Sequence, residues 1–212
     1  MKYHENMTAV AGLQPDYLGF IFHEKSPRNF EADILSLPDT IKKTGVFVDA
    51  SIDFVADKVR THDFKAIQLH GNESPEYCRN LVTQITRSTE SKKHSIELFK
   101  VFSIKDTFDF GVLKPYEGIV DYFLFDTKGK EKGGNGYTFD WSVLKNYPST
   151  TPFILSGGIG LEEIDKIKEI LATNLPIYAI DVNSKFEIEP GLKNIDDLSV
   201  FKKSLSNMRE GS

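Results

Sequence analysis

The chain has 212 residues, of which 40% are hydrophobic and 27% are charged. This composition is that of an ordinary globular protein and excludes disordered, collagen-like and coiled-coil architectures. The 26 basic and 31 acidic residues give a net charge of −5, so no basic excess indicates a nucleic-acid partner.

The single cysteine and the lengths of the apolar runs indicate where in the cell the protein is expected. A single cysteine cannot form an internal disulfide, which is typical of a reducing cytosol, and we therefore expect a cytoplasmic protein. No apolar run approaches the roughly 20 residues that span a bilayer. The first residues do not resemble a signal peptide, so no membrane partner is expected.

Short apolar runs alternate with amphipathic segments along the whole chain. A helical stretch at residues 4–13 comes first and another at 195–206 comes last. Seven runs rich in Phe, Ile and Val predict buried strands at 17–22, 45–48, 66–69, 97–102, 122–125, 153–155 and 177–182. Helices are predicted at 52–59, after residue 74 and at 161–171, with weaker candidates after Pro27, Lys105 and Thr138. The alternation predicts a parallel α/β fold.

The order of these elements bears on the architecture. Eight predicted helices accompany seven predicted strands, and the helix at 4–13 precedes every strand. A closed (β/α)₈ barrel begins with a strand, so the chain is either an open sheet or a TIM barrel without its first strand. Because such barrels often use about 200 to 250 residues as one domain, we expect residues 1–212 to form a single domain.

A glycine-rich segment at 156–160 separates the strand at 153–155 from the next helix. The backbone N–H groups of Gly157 and Gly158, together with a helix N-terminus, suit a phosphate group. Asn183 and Ser184 follow the last predicted strand and would complete such a cup, because barrels commonly bind phosphate between their last two strands. The alternative is a tight turn that needs glycine for backbone reasons only.

Asp126 directly follows the apolar run at 122–125. The pKa of a carboxyl at such a position can be raised, which would suit a general acid. A salt bridge to Lys128 or a turn cap is the alternative. The glycine-rich segment at 133–136 is either a loop that folds over a ligand or a plain solvent loop.

Two further strand ends carry polar candidates. Arg28 can pair bidentately with a substrate carboxylate or be a surface arginine. His70 can hydrogen-bond a ligand or be a buried histidine. The histidines show no metal-ligand spacing, and Cys78, mid-helix without a neighbouring histidine, is predicted to be inert.

Several motifs occur together in a fixed order: Gly19-Phe20-Ile21-Phe22 with 25–28, Gln68-Leu69-His70-Gly71, Phe125-Asp126-Thr127 with 133–141, 155–158, and 181–184 with Glu187 and 190–193. In this order and spacing they resemble the phosphoribosylanthranilate isomerase family of tryptophan biosynthesis. The resemblance covers nearly the whole chain. It implies a (β/α)₈ barrel without cofactor or metal. The implied reaction is an Amadori rearrangement of N-(5′-phosphoribosyl)anthranilate to 1-(2-carboxyphenylamino)-1-deoxyribulose 5-phosphate.

The resemblance also implies roles for individual residues. Asp126 would be the general acid that protonates the furanose ring oxygen, and Arg28 would meet the anthranilate carboxylate. Lys185 stands where the family often has glycine, and a lysine there can help hold the phosphate. The other implied substrate-binding positions are His70, Gly157, Gly158, Asn183 and Ser184.

The general base has no counterpart in this chain. The resemblance implies a cysteine that ends the family's first strand, whereas Met1 matches the segment just after that motif, and Cys78 does not match it. We therefore expect a chain without its first strand, through truncation or an internal start codon. Such a chain would be a poor isomerase and less stable than a longer one.

The missing strand also bears on self-association and on the alternative functions. Open sheet edges invite pairing with another copy, so a monomer or weak homodimer is expected. One alternative is a non-catalytic phosphosugar-binding protein that keeps the cup without the base. Another barrel enzyme acting on a phosphorylated sugar, such as an epimerase, is the weaker one, because the Asp126 loop disfavours it.

Overall fold

The computed structural model describes residues 1–88, 96–105, 107–127 and 138–209. The chain forms two compact units. The first comprises Met1–Val101 with Leu113–Tyr122, and the second comprises Phe102–Val112 with Phe123–Ser212. The expectation of a single domain over residues 1–212 stays a prediction. None of the helices in the described ranges combines the length and apolarity that a membrane crossing requires.

The first unit is built on parallel strands that neighbour one another in chain order. Its aromatic core includes the stacked rings of Phe22 and Phe47, whose centroids are 5.5 Å apart. Covered strands of this kind need apolar side chains on both faces, which explains their near-continuous apolar runs. The elements are α1 (His4–Gly12), β1 (Tyr17–Phe22), β2 (Lys42–Phe47), α2 (Ile52–His62), β3 (Ala66–Leu69), α3 (Pro75–Ser88) and most of β4 (Glu97–Ile104).

The second unit contains three further parallel strands, in which Phe125 pairs with Leu155 and Leu155 with Ile180. The strands are β5 (Tyr122–Thr127), of which Tyr122 belongs to the first unit, β6 (Phe153–Leu155) and β7 (Ile177–Ile180). The helices are α4 (Ile164–Leu171) and α5 (Ile195–Arg209). An antiparallel ribbon of β8 (Glu187–Glu189) and β9 (Leu192–Lys193) follows β7.

The predicted strands are confirmed, and three of them, at 17–22, 66–69 and 153–155, have the predicted bounds. The segments after Lys105 and Thr138 form 3₁₀ helices, Phe110–Tyr116 and Trp141–Asn146. Pro115 lies inside the first of these and cannot donate a backbone hydrogen bond, which disfavours a longer α-helix.

The helix predicted after Pro27 is wrong, because residues 28–41 form no helix. Phe30 N–H instead donates to Ile21 O at 2.8 Å, on the open edge of β1. The Phe30 ring is buried against Phe20 and Phe22, with centroid distances of 5.1 and 6.1 Å. Burial of this one ring in the aromatic core outweighs the weak helical pattern of the segment.

Candidate functional site

The carboxyl end of β5 carries the predicted acid. Asp126 and Thr127 are the last residues of this strand, and the Asp126 residue is only 7% exposed. Ser156 N–H donates to Phe125 O at 2.9 Å, so the chain leaving β6 starts its turn beside Asp126. The buried carboxyl therefore lies where the carboxyl ends of two neighbouring parallel strands meet, which is where such folds bind their ligands.

Gly157 packs directly against the end of β5. Its φ of +91° is in the left-handed region that favours glycine. A Cβ atom on Gly157 would lie 2.6 Å from Asp126 Oδ1 and closer still to Thr127 N, and Thr127 Oγ1 donates to Gly157 O at 3.2 Å. The structure thus brings together the predicted acid and the first glycine of the predicted cup.

The end of β7 lies beside this glycine turn. Asp181 N–H donates to Leu155 O at 2.8 Å, and Ser156 Oγ donates to Asp181 Oδ2 at 2.7 Å. Asn183 and Ser184 follow two and three residues after Asp181, at the start of the 3₁₀ helix Ser184–Phe186. The two predicted halves of the cup therefore leave neighbouring strands at the same edge.

The backbone donors of this region are available to an anion. Gly158 also has a positive φ, +70°, so two successive peptide units turn in the left-handed region. Among the described residues, no protein acceptor takes a hydrogen bond from the backbone N–H groups of Gly157, Gly158, Asn183 or Ser184. Successive free N–H groups of this kind bind anions.

The helix after the glycine-rich segment 156–160 adds less to the proposed anion site than its position suggests. It begins as the 3₁₀ turn Leu161–Glu163 before α4, and Gly160 N–H donates to Glu163 Oε2 at 2.8 Å. Lys185 Nζ lies 2.7 Å from Glu162 Oε1. The hydrogen bond between them lowers the pKa of Glu162 and raises the pKa of Lys185. The lysine predicted to help hold phosphate thus has a carboxylate partner already.

Arg28 lies in the first unit, in a turn stabilised by its neighbours. Ser26 N–H donates to His23 O at 2.8 Å, His23 N–H donates to Asn29 Oδ1 at 2.9 Å, and Arg28 N–H donates to Ser26 Oγ at 3.2 Å. The arginine is half-buried at this strand end. Its pairing with a carboxylate stays a prediction.

His70 follows β3 in the first unit and is half-buried. Its backbone N–H donates to Phe47 O at 2.8 Å, and its Nδ1 atom is 3.2 Å from Gln68 Nε2. With the amide nitrogen as donor, Nδ1 accepts, and the neutral ring carries its proton on Nε2. Contact with a substrate stays a prediction.

A buried pair at the ribbon has no role in the sequence analysis. Lys193 and Glu187 lie 3.0 Å apart, with 9% and 5% of their side chains exposed. Both belong to the segments that carry the family resemblance, which was the only signal available for them. Lys128 and the glycine-rich segment 133–136 lie outside the described residues.

The prediction that Cys78 is inert is supported by its surroundings. Cys78 lies in α3 and is fully buried. Burial raises the pKa of its thiol to about 11, while Lys100 opposes this rise and Glu73 adds to it. At neutral pH the thiol is therefore protonated and shielded, which is unsuitable for a general base.

Ionisation of Cys78 makes stability fall in alkaline solution. The unfolded thiol ionises near its ordinary pKa of 9.0, whereas the folded thiol ionises only near 11. The stabilising contribution is complete below pH 9 and is lost as pH rises to about 11. Urea unfolding between pH 9 and 11 should show the free energy of unfolding falling more steeply with pH in the parent protein than in Cys78→Ala. Equal slopes, or rapid labelling of the folded thiol by a disulfide reagent, would contradict the assignment.

Comparison with known proteins identifies the family. The family model for N-(5′-phosphoribosyl)anthranilate (PRA) isomerase matches residues 2–204. The chain belongs to the PRA isomerase family. The isomerase of Parabacteroides distasonis is 43% identical over 208 residues, which is 95% of this chain and 88% of the relative. That of Phocaeicola vulgatus is 37% identical over 200 residues, which is 94% of this chain and 91% of the relative.

A solved structure of the PRA isomerase family shows the same fold. The crystal structure of phosphoribosyl anthranilate isomerase from Thermus thermophilus superposes with a TM-score of 0.77 at 23% identity. The match covers 99% of this chain and 96% of that one. The predicted fold class, α/β of the (β/α)₈-barrel type, is thereby confirmed.

Proposed function

We propose that this chain catalyses the reaction for which its family is named, the isomerisation of N-(5′-phosphoribosyl)anthranilate in tryptophan biosynthesis. The observation that supports this most directly is the position of Asp126. Its buried carboxyl lies against Gly157, the first glycine of the segment 156–160. A proton donor beside an anion-binding turn suits a substrate that carries both a sugar ring and a phosphate.

In the proposed reaction Asp126 acts as the general acid. Its proton passes to the furanose ring oxygen, the bond from that oxygen to C1′ breaks, and the ring opens to a Schiff base. A general base then removes the proton from C2′, and the resulting enolamine tautomerises to the ketone. One proton is added and one removed, so the product is an isomer of the substrate.

The base for the second step is not Cys78. That thiol is buried in α3, and its pKa is raised to about 11. The family resemblance assigns the base to a cysteine that precedes the segment matched by Met1. Assays of turnover therefore use the protein together with any residues that its gene encodes before Met1.

The substrate carries two charged groups, a phosphate and a carboxylate. We assign the phosphate to the N–H groups around Gly157, Gly158, Asn183 and Ser184, and the anthranilate carboxylate to Arg28, with His70 as a further substrate contact. No metal or cofactor is needed for proton transfers of this kind. We further propose a cytoplasmic protein that is a monomer or weak homodimer.

The phosphate cup predicts a strong preference for phosphorylated ligands. A phosphorylated product analogue should bind roughly 10- to 100-fold more tightly than its dephosphorylated counterpart, because hydrogen bonds to a charged group contribute about 1.5–3 kcal/mol. Calorimetric titration of both ligands measures the ratio. Equal affinities would contradict the cup.

Two glycine variants locate that preference in the structure. Gly158→Ala places a side chain at a φ of +70° within the proposed cup and should reduce the preference. Gly118→Ala is the matched control, because Gly118 has a φ of +73° with open space around it. A preference that falls equally in both variants would show that strain alone, rather than the cup, is responsible.

A further inference from the structure

Lys193 is a charged residue that is almost fully buried, on the second strand of the ribbon after β7. Its Nζ atom donates to Glu187 Oε1 at 3.0 Å, to Asn183 O at 3.0 Å and to Asn183 Oδ1. Two of these three acceptors belong to one residue of the proposed phosphate cup. The lysine therefore holds Asn183 by both its backbone and its side chain.

The hydrogen bond to Oδ1 determines which way the Asn183 amide points. An ammonium group carries donors only, so the amide must turn its oxygen toward Lys193 and its NH₂ group away from it. Among the described residues, Asn183 Nδ2 donates to no protein acceptor. The NH₂ group is thus left as a donor for a ligand.

The backbone of Asn183 is fixed in the same way. Its carbonyl oxygen accepts from Lys193 Nζ and, at 3.1 Å, from Phe186 N–H. With that peptide held, Ser184 begins its 3₁₀ helix at a defined position. The backbone of the second half of the cup is therefore anchored to the ribbon.

Glu187 limits what the charge of Lys193 can do. Its carboxylate lies 3.0 Å from Nζ, so the net charge of the pair is close to zero. The same carboxylate accepts from Gly191 N–H at 3.0 Å, which joins the turn of the ribbon to the pair. Through-space attraction of a phosphate by Lys193 is correspondingly weak. We therefore expect its effect on the ligand to pass through Asn183.

We propose that Lys193 is a positioning residue of the phosphate site, which orients Asn183 so that its amide NH₂ group faces the ligand phosphate. The inference rests on the proposed function, because it concerns the same cup. It adds that phosphate recognition depends on a buried lysine that does not touch the ligand. Ribose 5-phosphate and ribose serve as the paired probes, since they differ only in the phosphate.

The central test is Lys193→Met, with Lys168→Met as a matched control on α4. We expect Lys193→Met to reduce the preference for ribose 5-phosphate over ribose by about 10-fold, the value of one charge-assisted hydrogen bond. Ribose binding should stay unchanged. Lys168 has a surface ion pair with Asp165, and its variant should keep the preference. Parent-like selectivity in Lys193→Met overturns the inference.

A double variant separates positioning from charge. Lys193→Met removes the cation beside the Glu187 carboxylate, and repulsion alone could then weaken phosphate binding. Lys193→Met/Glu187→Gln removes that charge and replaces the buried pair by neutral groups, which proteins generally tolerate. Positioning predicts that the selectivity stays low in the double variant. Recovery of the parental selectivity would show repulsion and overturn the inference, and this variant decides the matter even where Lys193→Met alone fails to fold.

Coupling to Asn183 gives the last check. In an Asn183→Ala background, the Lys193→Met/Glu187→Gln pair should cause no further loss of selectivity, because the residue it positions is gone. A further 10-fold loss of selectivity in that background would contradict the proposal that Lys193 acts through Asn183. Failure of the proposed function looks different. Without a phosphate cup the parent protein itself would not distinguish ribose 5-phosphate from ribose, and without the isomerase reaction it would keep this selectivity but show no turnover.

Discussion

Asp126→Asn is expected to lower kcat for N-(5′-phosphoribosyl)anthranilate by roughly 10²- to 10⁴-fold, the usual contribution of a positioned general acid. The amide keeps the size of the side chain but cannot protonate the ring oxygen. Substrate affinity should change little, because we assign the phosphate and the carboxylate to other residues. Steady-state kinetics measure both quantities in the protein with any residues encoded before Met1.

Asp165→Asn is the matched control for this prediction. Asp165 is an exposed carboxylate on α4 that pairs with Lys168 at 3.1 Å. The same chemical change there should leave kcat and KM at their parental values. Near-parental turnover in Asp126→Asn would remove Asp126 from the role of acid. Unchanged ligand selectivity would still leave the phosphate cup in place.

Lys100→Met is expected to destabilise the protein by about 3–5 kcal/mol, because it strands a buried carboxylate. The side chains of Lys100 and Glu73 are 3% and 1% exposed and lie 3.1 Å apart. Glu73 also accepts hydrogen bonds from Gly71 N–H and Asp49 N–H, and Lys100 Nζ donates to Gly71 O at 2.9 Å. The pair therefore joins the segments that follow β2 and β3 to the middle of β4. Such a loss is large against a typical total of about 5–15 kcal/mol.

Urea unfolding of three variants tests this assignment. Lys100→Met/Glu73→Gln should regain part of the lost stability, because no unpaired charge remains buried. Lys65→Met is the control in the same unit, since its ion pair with Asp63 lies at the surface and is worth about 1 kcal/mol or less. A loss in Lys100→Met no greater than in Lys65→Met would show that the buried pair contributes no more than a surface pair.

The same network bears on His70, which directly precedes Gly71. Gly71 is held at its N–H by Glu73 and at its carbonyl by Lys100. A Cβ atom on Gly71 would clash with Asp49, with 2.6 Å between it and Asp49 Cγ. The loop that presents His70 is thus closely packed. Because we propose that His70 contacts the substrate, we expect folded Lys100→Met protein to bind substrate less tightly than the parent.

The strands could be predicted because their signal is local. A buried parallel strand needs apolar side chains on both faces, and runs such as 17–22 and 153–155 contain little else. The helix predicted after Pro27 is wrong because the conformation of that segment depends on its contacts with β1. Phe30 packs in the aromatic core beside β1, and no periodicity within the segment reports those contacts.

The sequence by itself determined the family, the α/β class and the strand-end positions of Asp126, Gly157 and Asn183, because parallel strands bring their carboxyl ends to one edge whatever their loops do. Only the tertiary structure decided which charged residues are buried. The sequence does not show that Lys193 and Lys100 bury their ammonium groups, since burial of an ammonium depends on acceptors that come from other turns and strands. Asn183 and Glu187 supply those acceptors for one lysine, and Gly71 and Glu73 supply them for the other. Their burial follows from packing rather than from composition.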